Sequence, residues 1–228
     1  MKAGDPAAQL STRTAAMCKP KAPEANRARI VQAAMDEFAS RGFKGASMDA
    51  IASRTHTTRA MINYYFGGKE QVYLAVLEQV YAEIRHAESF LDLEDLAPVE
   101  AMRRIVEFTF DYYLSHQYFV RIVIAENQAQ GRHLKKLKTM GILNRPILDL
   151  LSRVITRGQA EGTFRKGLDP LDVHMAIAAL GNFNVSHQHT FSAIFGRDMG
   201  AKGDVAGRRA VVTDLILRYL TNSHPLTS

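Results

Sequence analysis

Residues 47–70 read SMDAIASRTHTTRAMINYYFGGKE, and the fold turns on how that stretch divides. Ser47 can cap a short helix over 48–54, with Asp49 favourable in its first turn. RTHT, residues 54–57, interrupts that helix. Thr58 can cap a second one at about 59–65, which Gly67-Gly68 ends. Two short helices joined by a turn of three or four residues match a helix-turn-helix. Helices of about seven residues are not stable alone, so both must lean on a neighbour through Ile51, Ala52, Ile62 and Phe66. With those side chains turned inward, Arg59, Ala60, Met61, Asn63 and Tyr64 are left outward on the second helix.

The neighbour lies upstream. Ile30, Ala34 and Phe38 recur at helical spacing with Val31 and Met35 alongside, and Gly42 follows as a stop, which predicts a helix over 25–41. Downstream, Val72, Val76, Val80 and Ile84 stripe a long helix from Lys69 to about Phe90. LDLEDLAP is a loop. Further helical patterns lie near 98–115, 117–128, 132–161, 170–195 and 205–222, with turn signals at EGTFRKGLDP and FGRDMGAKGD between the last ones. No segment alternates as a strand does, and no internal repeat is visible. The expected fold is all-α: an N-terminal three-helix domain followed by a larger helical bundle.

Composition narrows the function classes. The chain has 228 residues, 46% hydrophobic and 23% charged, enough for a sizeable core. No run of about 18 apolar residues is present, so no membrane span is expected. The first 23 residues lack the apolar stretch of a secretory signal and read as a flexible basic tail. The single cysteine, Cys18, lies there. That excludes a disulfide framework and a cysteine-based zinc site, and makes the reducing cytoplasm the expected compartment. Of the net charge of +6, residues 1–23 carry four bases against one acid and residues 24–70 seven bases against five acids. Five of the six positive charges therefore sit in the first third, which suits a polyanion partner for that end.

Arginine reads guanine, asparagine reads adenine, and alanine or methionine can touch a thymine methyl. Arg59, Asn63, Ala60 and Met61 therefore make the outward face of 59–65 suitable for a DNA major groove. Tyr65, Ser47 and Lys69 are placed for phosphates, and Lys69 opens a helix whose free N–H groups add to its attraction for an anion. On these residues the chain resembles the tetracycline-repressor (TetR) family of bacterial regulators. The resemblance is carried by AAMDEFASRGF at 33–43, Ser47 with Ile51-Ala52, Thr58, Tyr65-Phe66, and Lys69-Glu70 followed by Leu74. It implies a DNA-binding domain over 24–84 with its helix-turn-helix at 47–66. Base contacts would come from Arg59, Ala60, Met61 and Asn63. Backbone contacts would come from Ser47, Thr58, Tyr64, Tyr65 and Lys69, with Thr57 beside them. The chain departs from the family pattern in the turn, where Thr55-His56-Thr57 stands for the common Ala-Gly-Val. His56 thus occupies a place that often needs positive φ. Asn63 stands where a tyrosine is usual, and Gly67-Gly68 makes a looser joint.

The resemblance further implies a ligand-binding and dimerising bundle over 85–228, loosely nearest the branch containing the pyrimidine-utilisation repressor. Independently, AVVTDLILRYLTN is apolar over a wider stripe than one core requires, and MAIAALGNF is apolar nearly all round. Two such helices from each chain could form a four-helix homodimer interface. Candidate residues for an apolar effector pocket are Phe108, Tyr112, Phe119 and Asn127, with Asn182, Ser186 and His189 as a polar stripe at i, i+4, i+7. His187 and His189 point about 200° apart on a helix, so no metal is expected, and no cofactor either. The expected function is a ligand-responsive repressor that binds double-stranded palindromic DNA as a dimer and is released by a small organic effector. Two other readings compete: an interaction module with a vestigial DNA-binding head, and a small all-α enzyme. For the enzyme, no nucleophile–base pair, phosphate loop or metal cluster stands out.

Overall fold

The computed structural model describes residues 22–221; the expected tail, apart from its last two residues, and Cys18 lie outside them. Among the described residues there are ten α-helices, one 3₁₀ turn and no strand. Helix α1 (Ala22–Gly45) is kinked at Gly42, whose φ of 63° ends the regular turn where the sequence places a stop. Helix α2 (Met48–Arg54) starts at Ser47, whose Oγ accepts the Ala50 N–H at 3.3 Å. Helix α3 (Arg59–Phe66) starts at Thr58, whose hydroxyl accepts the Met61 N–H at 3.2 Å. It ends at Gly67, left-handed at φ 91°, a conformation that costs glycine nothing. Helix α4 (Lys69–Glu88) follows and runs into the larger half of the molecule.

The bundle comprises α5 (Pro98–Ser115), α6 (Gln117–Gln128), α7 (Met140–Ala160), α8 (Pro170–Ser186), α9 (Gln188–Phe195) and α10 (Lys202–Thr221). Helices α5 and α8 open on proline at the first helical position, where a missing N–H costs no bond. Two expected helices are broken. The 132–161 pattern divides into a 3₁₀ turn at Leu134–Lys136 and α7. The cause is tertiary: buried Glu126 captures the backbone N–H groups of His133 and Leu134 at 2.6 and 3.1 Å, after Gln130 and Gly131 turn the chain at positive φ. The 170–195 pattern breaks at His187, which leaves helical dihedrals and stacks its ring on Phe183 at 4.2 Å.

Two cores result. One joins Ile30, Ala34, Met35 and Phe38 of α1 with Ile51, Ile62, Val72, Tyr73 and Val76, and continues into α6 through Phe119, Val120 and Ile122. Helix α6 packs directly on α1, so the head leans on the bundle as well as on itself. The second core is built by α5, α7, α8 and α10 around Met102, Phe110, Leu151, Val154, Ile177 and Ile216. The expected boundary at residue 84/85 falls inside α4, which passes without interruption from the first half to the second.

Candidate nucleic-acid interface

Helix α3 is held by one buried side chain, Ile62, while Phe66 is half-buried under the guanidinium of Arg27, 4.4 Å from the ring centroid. Arg27 also donates to the Tyr65 carbonyl, satisfying one of the open carbonyls at the helix end. Apart from half-buried Tyr65, the rest of α3 faces outward. Arg59, Ala60, Met61, Asn63 and Tyr64 are all exposed, Tyr64 to 81%. An exposed tyrosine of that degree on an eight-residue helix has no packing purpose in the monomer. Tyr65 is half-buried, its hydroxyl 3.5 Å from Asn26 Nδ2 and its ring edge-on to Tyr64 at 5.6 Å.

The turn between the helices adopts the conformation that its sequence makes difficult. His56 sits at φ 50°, in the left-handed region. Around it, Thr55 donates its hydroxyl to Ile51 O at 2.9 Å and the Thr57 N–H reaches Ala52 O at 3.0 Å, so the turn is hydrogen-bonded to α2 on both sides of the strained residue. Thr57 is half-buried and Thr58 exposed at the entrance to α3.

Three charged contacts were not visible in the sequence. Glu37 of α1 is fully buried; its Oε1 accepts the Ser47 N–H at 3.0 Å, and Arg41 and Arg54 approach its oxygens at 3.3 and 3.7 Å. It anchors the N-terminus of α2 to α1. Arg59 lies 3.6 Å from Asp49, an exposed ion pair across the two short helices. Lys69 donates to the Lys44 carbonyl at 3.2 Å, with its ammonium 5.3 Å from the Phe43 ring centroid. In the free protein it therefore closes the end of α1. Apart from Glu37–Arg41, an i,i+4 pair within α1, a spacing rule along one helix cannot find these, because they join residues from different elements.

The seven pocket residues expected from sequence do not converge. Phe108 and Tyr112 face each other, ring centroids 5.9 Å apart, on an open groove of about 480 Å³ with Glu83, His116 and Tyr118. Phe119 is buried behind them, stacked on Tyr113 at 5.6 Å. Asn127 is exposed and spends its amide on its own helix, on Val123 O at 3.0 Å. Ser186 bonds back to Asn182 O at 3.0 Å. His189 is exposed on α9, beyond the break at His187, so the three-residue polar stripe does not exist as one helix face.

Comparison with known proteins places this arrangement. The family model described as "Bacterial regulatory proteins, tetR family" matches residues 30–76, and "Tetracyclin repressor-like, C-terminal domain" matches residues 98–216. The transcriptional repressor NicS of Pseudomonas putida is 36% identical over 202 residues, covering 88% of this chain and 95% of that protein. The regulator RutR of Escherichia coli K12 is 31% identical over 109 residues, 46% of this chain and 51% of its own. In fold, a tetR-family regulatory protein from Rhodococcus RHA1 superposes with a TM-score of 0.67 at 19% identity, over 87% of this chain and 98% of that one. Among the described residues no helix is long and apolar enough to cross a membrane. The chain belongs to the tetR family of bacterial regulatory proteins, and is a ligand-responsive, helix-turn-helix transcriptional regulator.

Proposed function

We propose that this regulator is a cytoplasmic repressor that grips a palindromic operator as a homodimer and lets go when a small organic molecule binds the C-terminal half. The observation that carries the reading is α3: one buried anchor, and an exposed outward face of Arg59, Ala60, Met61, Asn63 and Tyr64. Arg59 and Asn63 are the residues for base edges, Ala60 and Met61 for thymine methyls. Ser47, Thr57, Thr58, Tyr64, Tyr65 and Lys69 surround them at positions suited to the phosphate backbone. Residues 24–84 form the DNA-binding unit in this division and 85–228 the effector and dimer unit, with α4 common to both. No catalytic step is assigned to it.

Dimerisation is supported by one face of the bundle. Leu171, Met175, Ala179 and Phe183 follow one another at i+4 along α8 and are all exposed, as are Val211 and Leu215 on α10. A face that apolar is expected to be covered. A two-fold dimer formed there presents two α3 helices about 34 Å apart, in successive major grooves. Footprinting on the DNA flanking the protein's own gene tests the whole reading. A protected inverted repeat with half-sites about one helical turn apart is expected. Protection without dyad symmetry, or none at all in bulk genomic fragments, would sink it.

A further inference from the structure

Two ionisable side chains are buried where head and bundle meet, and neither is placed to touch DNA. Glu126 near the end of α6 and His133 after it are 1% and 3% exposed. They satisfy each other. A carboxylate can only accept, so the His133 Nδ1–H donates to Glu126 Oε2, at 2.8 Å. Glu126 Oε1 takes the backbone N–H groups of His133 and Leu134. With a ring nitrogen and its own backbone N–H tied to one carboxylate, the imidazole is fixed in place and in tautomer.

The fixed ring joins an aromatic cluster that otherwise belongs to the head. Its centroid lies 4.5 Å from that of Phe43 and 4.9 Å from that of Tyr73, to which it is edge-on, and those two rings are 5.1 Å apart. Tyr73, on α4, is buried; Phe43, just after the kink at Gly42, is half-buried. On Phe43 rests the ammonium of Lys69, 5.3 Å from the ring centroid. It donates to the next carbonyl along, Lys44 O, at 3.2 Å. An ammonium has three donors; among the described residues the other two have no partner. Three residues past His133, Lys136 pairs with Glu70, the acid beside Lys69.

We propose that His133 is a positioning residue for DNA. Held by Glu126, its ring backs Phe43, and Phe43 holds the Lys69 ammonium where a phosphate can take its open donors. A lysine waving in solvent loses rotamer freedom when it meets a phosphate; one already resting on a ring and a carbonyl has lost much of it beforehand. Lys136 acts in the same sense by engaging Glu70, whose charge repels a phosphate next to Lys69. Helix α3 is held separately, by Ile62 beneath it and by Arg27 at its end. The cluster therefore bears on a contact that gives affinity and not on those that read sequence. This inference rests on the reading of Lys69 as a phosphate contact, and adds to it a residue of the bundle that meets neither base nor phosphate.

Band shifts of the full chain over a series of salt concentrations test it, on the footprinted operator and on random-sequence duplex. They are run at a temperature where circular dichroism shows every variant folded. His133→Ala should weaken both DNAs alike, by about fivefold. It should also lower the salt slope towards that of Lys69→Ala, which loses about one for each head bound. A double-mutant cycle separates positioning from general loosening. Beside Lys69→Ala, His133→Ala should cost little more, whereas beside Asn63→Ala the two losses should multiply. If His133→Ala does not fold, His133→Leu, which keeps bulk but neither the ring nor its bond to Glu126, takes its place with the same expectations. Parental affinity and slope in the His133 variant, a loss confined to the operator, or equal costs in the two backgrounds would overturn the proposal. A parent that shifts no DNA, or a parental slope in Lys69→Ala, removes the underlying reading and this inference with it. A parent that shifts DNA through Lys69 while the His133 variant shows any of those three outcomes removes this inference alone.

Discussion

His56 holds a conformation that a side chain with a Cβ adopts at a cost of about 1–2 kcal/mol. Among the described residues its exposed ring makes no hydrogen bond that would compensate. His56→Gly should therefore stabilise the protein by about 1 kcal/mol, and His56→Val should destabilise it by a similar amount, as urea midpoints will show. Unchanged midpoints for both would mean that the turn relaxes at no cost. A second residue-scale expectation concerns Arg59 and Asp49. Their pairing holds the guanidinium at the surface of α2, and the carboxylate repels phosphate. Asp49→Asn should tighten DNA binding several-fold with a steeper dependence on salt. Arg59→Ala should lower affinity by about tenfold and relax preference at one base pair. Salt titrations of band shifts measure both, and an unaltered slope in Asp49→Asn would count against its nearness to the backbone. At this scale the sequence was informative wherever an interaction is local. Ser47 and Thr58 cap helices through bonds three residues ahead, and the positive φ at His56 is what the family resemblance implies for that place in the turn. It was silent on Glu37, because a carboxylate on one helix gives no sign that it accepts from the N-terminus of another.

Among elements, α4 and α8 bring together groups that titrate in opposite senses. Burial raises Glu88 from 4.5 to about 7, with Arg85 opposing. Burial lowers His174 from 6.5 to about 4, with the charge of Arg85 adding to it. Between about pH 4.5 and 7 the folded state holds more protons at Glu88 than the unfolded chain, so that group's contribution to stability falls as pH rises. Between about pH 4 and 6.5 the folded state holds fewer at His174, so its contribution rises. The two nearly cancel in the parent. Glu88→Gln should leave stability rising with pH through that window, and His174→Gln should leave it falling, each on the order of 2 kcal/mol. Denaturation midpoints across pH 4–7.5 read the slopes directly, and identical profiles in all three proteins would refute the assignment. The broken 132–161 helix belongs to this scale too. Its pattern is helical along the chain, but Glu126 offers its N–H groups a better buried acceptor, and His133 then packs between Phe43 and Tyr73 at 4.5 and 4.9 Å. Helical periodicity cannot register a competitor seven residues upstream on a separate helix.

Across the whole molecule, the recognition face is coupled to the bundle through α4 and through the segment after α6. There Lys136 pairs with Glu70, and Thr139 donates to Glu78 at 2.9 Å. A shift of the bundle against the head has to pass through these contacts, which gives an effector a route to α3 only to the extent that it favours one arrangement over another. The proposed dimer would double that control. Phe183→Asp together with Leu215→Asp should yield a folded monomer by sedimentation, and should reduce operator binding by about a hundredfold or more through loss of the second half-site. A dimer that survives both substitutions would relocate the interface.

The chain's own residues determined the all-α class, the caps and stop of the two short helices, the outward set on α3, and the family to which they point. Each of these depends on bonds or periodicities spanning no more than a few residues. The tertiary structure alone decided which charges are buried together, Arg85 and Glu88 among them, and where long helical patterns break. Those outcomes depend on partners far apart in sequence, where a desolvated carboxylate or guanidinium takes whatever hydrogen-bonding group the packing brings within reach.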